Sequence, residues 1–287
     1  MKKKVSPKRR PRKKAGGKKQ FLSSEAKKFV LIFASLLLFF AMIYHYREAL
    51  AYYFSFKSRK ASKDKELFDV RNYQVLSERG DKSIGFDVSQ YQGNIKWEEA
   101  DSIEKTFPLD FVFIRSTAGK NHVDTRFKKN WKSAGDTKLI RGAYHYYRPD
   151  ESSIEQALLF IKTVKLRPGD LPPVLDIEQL PKHQPIDSLR RGLKRWLIAV
   201  ENHYGVRPIL YTGQKFYEDF LIEEFSEYEV WIANYNFFVE TIKDDWLCWQ
   251  FTERGSVPGI VGNVDLNLFG GTREDLVRLT IGTKLKD

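Results

Sequence analysis

The sequence contains one cysteine, Cys248, and two methionines among 287 residues. A lone thiol excludes an intramolecular disulfide and leaves the redox compartment open. It is expected in the core, packed as a small hydrophobe. No glycine-rich phosphate loop follows the first candidate strand, which weighs against a nucleotide-binding doubly wound sheet. No Gly-x-Ser-x-Gly elbow occurs, and His122, His145, His183 and His203 lack metal-ligand spacing. His145 is read as a buried structural histidine at a strand end.

Acids are almost missing from the first 28 residues, where 13 Lys and Arg face only Glu25. From Phe29 onward 36 bases meet 36 acids, so the formal charge of +12 is a property of the tail. The folded part carries no nucleic-acid signature, and no nucleic-acid partner is expected. Residues 1–28 combine Pro, Gly and like charge and are expected to be a disordered cytoplasmic tail. Charge is then absent from Phe29 to Tyr44. A helix of that length rises about 24 Å, and Lys27, Lys28, His45 and Tyr46 make up the remaining depth of a bilayer core.

Residues 29–46 are therefore expected to be a transmembrane signal anchor. The positive-inside rule leaves the N-terminus in the cytoplasm and the rest extracytoplasmic, periplasmic or on the cell surface. The alternative is a cleaved signal peptide with its site near Ala51 and a secreted product. Residues 47–81, charged and weakly patterned, read as a stalk. Residues 82–287 read as the folded domain.

Eight short apolar or aromatic runs mark strands there: Ser83–Val88, Phe111–Ser116, Ile140–Tyr147, Pro172–Ile177, Arg207–Thr212, Glu229–Tyr235, Leu247–Phe251 and Asn263–Phe269. Helical spacing occupies 130–135, 152–165 and 186–204, while the last three strands are joined by shorter links. This predicts an α/β fold, a TIM-like barrel of eight strands with a reduced helix set, of (β/α)5(β)3 type. An open doubly wound sheet is the alternative.

The run "PPVLDIEQLP" ends in two carboxylates, Asp176 and Glu178. Residues two apart on a strand share a face, and in such barrels the C-terminal strand ends form the active face. Asp87 ends the first strand and Asp265 sits on the last, which is its neighbour once the sheet closes. Four acids then meet in one cleft, where repulsion and burial keep at least one protonated near neutral pH. A protonated acid beside ionised ones suits glycosidic cleavage. Tyr91, Tyr144, Tyr146, Tyr211, Trp231, Tyr235 and Trp249, with Gln250, are the candidate sugar contacts. Plainer readings stand beside these: an Asp-x-Glu pair bridged to Arg115, Arg141 or Arg148, four acids holding a divalent cation, and aromatics that simply pack the barrel.

The blocks "GFDVSQYQGNIKW", "FVFIRSTAG", "RGAYHYYRP", "PVLDIE", "ILYTG", "VWIANY" and "WQFTERGSVPGIVGNVDLNLF" resemble, in order, glycoside hydrolase family 25. These are the lysozymes, or N-acetylmuramidases, of Chalaropsis and Cellosyl type. The resemblance implies peptidoglycan hydrolysis at the β-1,4 bond between N-acetylmuramic acid and N-acetylglucosamine, with no cofactor and a monomeric catalytic domain. It assigns Glu178 as general acid and Asp176 as the acid that orients the substrate's N-acetyl group or stabilises developing charge. Asp87 and Asp265 become the flanking cleft acids. Substrate assistance is the favoured mechanism. Gln90 and Ala118 depart from residues frequent in the family. The alternatives are a glycan-binding scaffold module and a hydrolase of another N-acetylated glycan such as chitin.

Overall fold

The computed structural model describes residues 23–47, 70–236 and 238–283. Most of the expected basic tail, most of the expected stalk and the Ala51 cleavage site lie outside the described residues. The chain divides into two compact units after Arg47.

In the first unit α1 spans Ser24–His45, and the Ser23 hydroxyl caps it by accepting the Ala26 N–H at 3.2 Å. Its best 18-residue window has a mean hydropathy of 2.1 and no side chain buried. At 1.5 Å per residue it is about 33 Å long, so it is long and apolar enough to cross a membrane.

The second unit is a closed barrel of eight strands. They are β1 Ile84–Val88, β2 Phe111–Ala118, β3 Ile140–Tyr146, β4 Val174–Asp176, β5 Ile209–Gly213, β6 Val230–Ala233, β7 Cys248–Gly255 and β8 Val264–Phe269. Each strand pairs with the next, and β1 pairs with both β2 and β8, which closes the sheet. All eight expected runs form strands. The sheet is mixed, because β8 runs antiparallel to both β7 and β1. Only eight residues join β7 to β8, too few for the crossover that a parallel pair needs. Reversal of β8 has a consequence for the site: its first residues lie on the rim where the other strands end.

Helices cover the outside: α3 Phe127–Ala134, α4 Ser153–Thr163 and α5 Ile186–Tyr204, then a helical stretch over 214–225 with a π-turn at Tyr217–Leu221, and α6 Arg273–Leu279. The link from β1 to β2 holds no α-helix but two 3₁₀ turns and a two-stranded ribbon, Ser102–Ile103 with Phe107–Pro108. Gly205, at φ +69°, ends α5 in the left-handed conformation that glycine adopts without penalty.

Part of the segment expected to be a stalk is helical. Val70–Glu78 forms a helix, α2, whose Val75 and Leu76 are buried in the apolar layer outside the barrel. Its signal was missed because the helix is only nine residues long and its buried face mixes Val75 and Leu76 with the polar Arg71, Asn72 and Gln74.

Strand alternation sorts side chains into two layers. Phe86, Val112, Ile114, Leu175, Leu210 and Ile232 face the helices. Phe111, Phe113, Val174, Ile209, Trp231 and Phe269 fill the barrel interior, where Phe113 stacks on Trp231 at 4.5 Å. Room for these rings comes from glycine. A Cβ on Gly142 falls 2.5 Å from the Phe113 ring, and one on Gly85 falls 2.4 Å from the Phe111 ring. Gly142→Ala is therefore expected to overpack the interior and cost about 1–3 kcal/mol. The check is a lower urea midpoint at unchanged m-value.

Candidate active site

The interior layers change character along the barrel axis. On β4 the inward positions run Val174, then Asp176, with Glu178 just past the strand end; on β1 the inward residue near the end is Asp87. β8 carries Asp265 and Asn267 inward, and Asp87 lies directly opposite Asp265 in the register. Tyr146 pairs with Asp176, Asp176 with Tyr211, and Tyr211 with Trp231. These positions open into one cleft of about 210 Å³ lined by all four acids, with Tyr91, Tyr144, Tyr146, Tyr211, Trp231 and Gln250. Val88, Ser89, Gln92 and Arg115 complete the lining.

Ten of the twelve expected site residues thus converge. Two do not. Trp249 is fully buried in the outer layer, its indole N–H donating to the Asn234 carbonyl at 2.9 Å. It alternates with Gln250, so strand parity sends the two to opposite faces and Trp249 cannot meet a ligand in the cleft. Tyr235 stands at the rim, 45% exposed, and its hydroxyl donates to Gln250 Oε1 instead of lining the cleft wall.

The arginines offered as salt-bridge partners for the Asp-x-Glu pair are engaged elsewhere. Arg141 pairs with Asp170 at 2.8 Å, Arg148 with Glu151 at 3.3 Å, and Arg115 with Asp124 at 3.1 Å. Among the described residues neither Asp176 nor Glu178 has a basic partner within 4.0 Å, so the structural ion-pair reading fails.

Burial and mutual repulsion explain the electrostatics. Asp176 is 4% exposed, and desolvation with the nearby Glu178 and Asp87 holds its carboxyl well above the usual range. Glu178 is open to solvent on one side, yet desolvation raises it too, while its hydrogen bond with Asp176 acts in the opposite sense. Both carboxyls are therefore biased toward holding a proton at the cleft base. Asp87 is raised well above its ordinary value by burial and by Asp265, and Asp265 is pushed up to about 6, chiefly by desolvation. Asp176 Oδ1 is buried and accepts no hydrogen bond from the protein among the described residues.

Asp87 is aimed by two amides that the acid pattern alone did not reveal as a unit. Gln250 Nε2 and Asn267 Nδ2 both donate to its Oδ2, at 2.8 and 2.9 Å. Their oxygens are held in turn: Gln250 Oε1 accepts from the Tyr211 hydroxyl at 2.7 Å, and Asn267 Oδ1 from the Trp231 indole at 2.9 Å. Both amides are buried. Asn267 was absent from the expected site although it lies two residues past Asp265 on the same face, which is the signal that identifies it.

Arg115 is a second omission. Its guanidinium sits 4.8 Å below the ring of Tyr91, which is 79% exposed. Asp124, its ion-pair partner, also accepts the Gln90 N–H at 2.8 Å and so ties the loop after β1 to the end of β2. The Gln90 side chain accepts from the Thr125 N–H at 3.1 Å and is part of that tie, outside the cleft lining.

His145 is fully buried and structural, as expected. Gln156 Oε1 can only accept, so the ring carries its proton on Nε2 (3.0 Å), and Nδ1 accepts from the Thr117 hydroxyl at 2.7 Å. Burial lowers its pKa to about 4, which keeps it neutral.

Comparison with known proteins agrees with this geometry. The profile of Glycosyl hydrolases family 25 matches residues 86–260. YegX of Escherichia coli K12 is 40% identical over 204 residues, covering 70% of this chain and 74% of that protein. Lysozyme M1 of Streptomyces globisporus is 31% identical over 218 residues, covering 69% and 71%. The structure of a family 25 glycosyl hydrolase from Bacillus anthracis superposes with a TM-score of 0.62 at 31% identity, over 69% of this chain and 94% of that one.

Proposed function

The chain belongs to glycosyl hydrolases family 25 and is a glycoside hydrolase of the lysozyme kind, and from that premise we propose that it cleaves the β-1,4 bond between N-acetylmuramic acid and N-acetylglucosamine of peptidoglycan. Glu178 is the general acid. It protonates the glycosidic oxygen as the bond to the anomeric carbon breaks.

The observation that carries this reading is the convergence of four carboxyls in one cleft, with a buried oxygen, Asp176 Oδ1, that has no protein partner among the described residues. An acceptor in that state suits a substrate N–H. With Asp176 accepting the acetamido N–H, the acetamido carbonyl oxygen is directed at the anomeric carbon and displaces the leaving oxygen, which takes the Glu178 proton. Water then opens the cyclic intermediate while Glu178 recovers a proton from it. Asp265 supplies negative charge facing the oxocarbenium-like transition state, beside Asp87, whose position is already fixed by Gln250 and Asn267. Fixed charge is effective because nothing has to reorganise during the reaction.

Tyr91 offers the exposed flat face for a neighbouring sugar. Tyr91→Ala is expected to raise KM about five- to tenfold with little change in kcat, the signature of a contact equal in ground and transition states. Steady-state rates on solubilised glycan strands check it.

The apolar α1 fits a signal anchor or a signal peptide, and on either reading the proposed site of action is outside the cytoplasm, where peptidoglycan lies. With an anchor, tethering near the sacculus raises the effective concentration of enzyme without new contacts. In domain terms we propose a basic tail, the α1 anchor, a linker and a catalytic barrel that includes α2.

Digestion of isolated sacculi and of chitin in parallel, with analysis of the new reducing ends, tests the reading. Muramic acid at the reducing ends of soluble fragments is expected. Retention on sacculi without release of fragments identifies a binding module instead, and faster digestion of chitin a different glycan.

A further inference from the structure

The family profile begins at residue 86, yet α2, at residues 70–78, is built into the back of the catalytic rim. We propose that Arg71, with Asn72, is a positioning residue for the cleft: it fixes the bulge of β7 and so aims Gln250 at Asp87. The proposal rests on the reading that this cleft hydrolyses peptidoglycan.

The register of β7 against β8 shifts between Gln250 and Thr252, so that Phe251 is the extra residue of a bulge. A bulge leaves its extra residue out of the ladder and lets the strand bend. Arg71 meets that residue directly. Its Nη1 donates to the Phe251 carbonyl at 2.5 Å, its Nη2 to the Val239 carbonyl at 2.7 Å, and its guanidinium lies 5.4 Å from the Trp249 ring. Asn72 Nδ2 donates to the Thr252 hydroxyl at 3.1 Å. The two side chains therefore grip positions 249, 251 and 252 from outside, while residue 250 between them points inward.

Gln250 is the place where a small rotation of this backbone matters. Its amide is buried and has both ends committed, Nε2 to Asp87 and Oε1 to Tyr211 and Tyr235. Arg71 is itself buried, and its planar fork spans two carbonyls at once, a geometry that a lysine ammonium does not reproduce. A residue that only glues a helix onto a barrel affects stability. One that sets the strand carrying Gln250 also affects turnover, through Gln250.

A kinetic cycle on sacculi with the full chain in detergent separates the two, at a temperature where every variant is folded. Arg71→Ala is expected to lower kcat about tenfold with KM nearly unchanged, as a misplaced catalytic frame does. In a Gln250→Ala background the same substitution should cost less than about twofold, because the group it positions is gone. Equal losses in both backgrounds overturn the proposal. Tyr204→Phe, which deletes the bond to the Val164 carbonyl in the outer layer, should lower the melting temperature and leave kcat unchanged. A matching kcat loss there also overturns it.

If Arg71→Ala does not fold, Arg71→Lys replaces it, with an expected loss of about threefold. An inactive wild type sinks the functional reading and leaves this one to carboxyl NMR. Asp87 faces Asp265, Asp176, Glu178, Tyr144, Tyr211 and Tyr235. With those unchanged, a weakened Gln250 donor raises the titration midpoint of Asp87 in Arg71→Ala, and an unmoved midpoint overturns the proposal.

Discussion

Glu178→Gln is expected to reduce the release of soluble fragments from sacculi about 10³-fold while leaving the melting temperature within a degree or two of wild type. The rate effect follows from the proton: glutamine matches the shape of the acid but cannot donate to the glycosidic oxygen, and positioned acids contribute roughly 10²–10⁴-fold. The small stability effect follows from the surroundings, since Glu178 is open to solvent on one side and among the described residues has no basic partner whose charge would be stranded. In the wild type the rate should also fall as pH rises through the titration of Glu178, which desolvation raises above the ordinary value. The residual activity of the glutamine variant should lack that limb. Activity above about a tenth of wild type removes Glu178 from the role of acid.

Asp176→Asn is expected to lose about 10²–10³-fold in kcat and, against the usual trend for core substitutions, to gain stability at neutral pH. Asparagine keeps a neutral side chain of similar shape, but it cannot ionise to strengthen its bond to the acetamido N–H as charge develops. The stability gain follows from linkage. Asp176 has its folded-state pKa raised well above the unfolded value, mainly by burial. Below the unfolded value both states hold the proton, and the folded state is not disadvantaged.

As pH climbs past it the unfolded chain releases its proton first, and the native state becomes progressively less favoured until the buried carboxyl titrates as well. The asparagine variant escapes that loss. Its advantage should be near zero at pH 3 to 4, grow with pH, and reach an order of 1 kcal/mol, or about 2–4 °C in melting temperature. Denaturant titrations of both proteins across pH measure it. An Asp176→Asn chain that is less stable than wild type at pH 7.5 contradicts the buried, proton-holding site. Stability and catalysis thus oppose each other at this position, because the crowding that keeps protons in the cleft is unfavourable to the fold.

Much of this was legible in the sequence. Each of the eight barrel strands appears as a short apolar run, because strands buried on both faces have no room for polar alternation. The acid quartet was legible for a related reason. Asp87, Asp176 and Asp265 interrupt such runs, and a carboxylate inside a buried strand carries a cost that needs a function to explain it. The residues that aim the acids were harder to see. Asn267 and Arg115 look like ordinary strand residues until pairing sets them against Asp87 and Tyr91. Trp249 shows the converse error: an aromatic at a rim strand invites a sugar contact, but its parity relative to Gln250 turns it outward. The helix α2 was hidden by its short, largely polar sequence, and only its docking onto β7 reveals the buried face.

The sequence by itself determined the apolar N-terminal helix, the confinement of basic charge to the tail, the strand-forming runs and the chemical types at their ends, since each depends on neighbours within a few residues. Tertiary structure decided the rest: the reversal of β8, the meeting of Asp87 with Asp265 across 178 positions, the amide clamp on Asp87 and the crowding of Asp176 with Glu178 in one cleft. Those depend on closure of the sheet. Closure brings distant residues within hydrogen-bond range and removes water from between them, and only then do their charges begin to set one another's protonation.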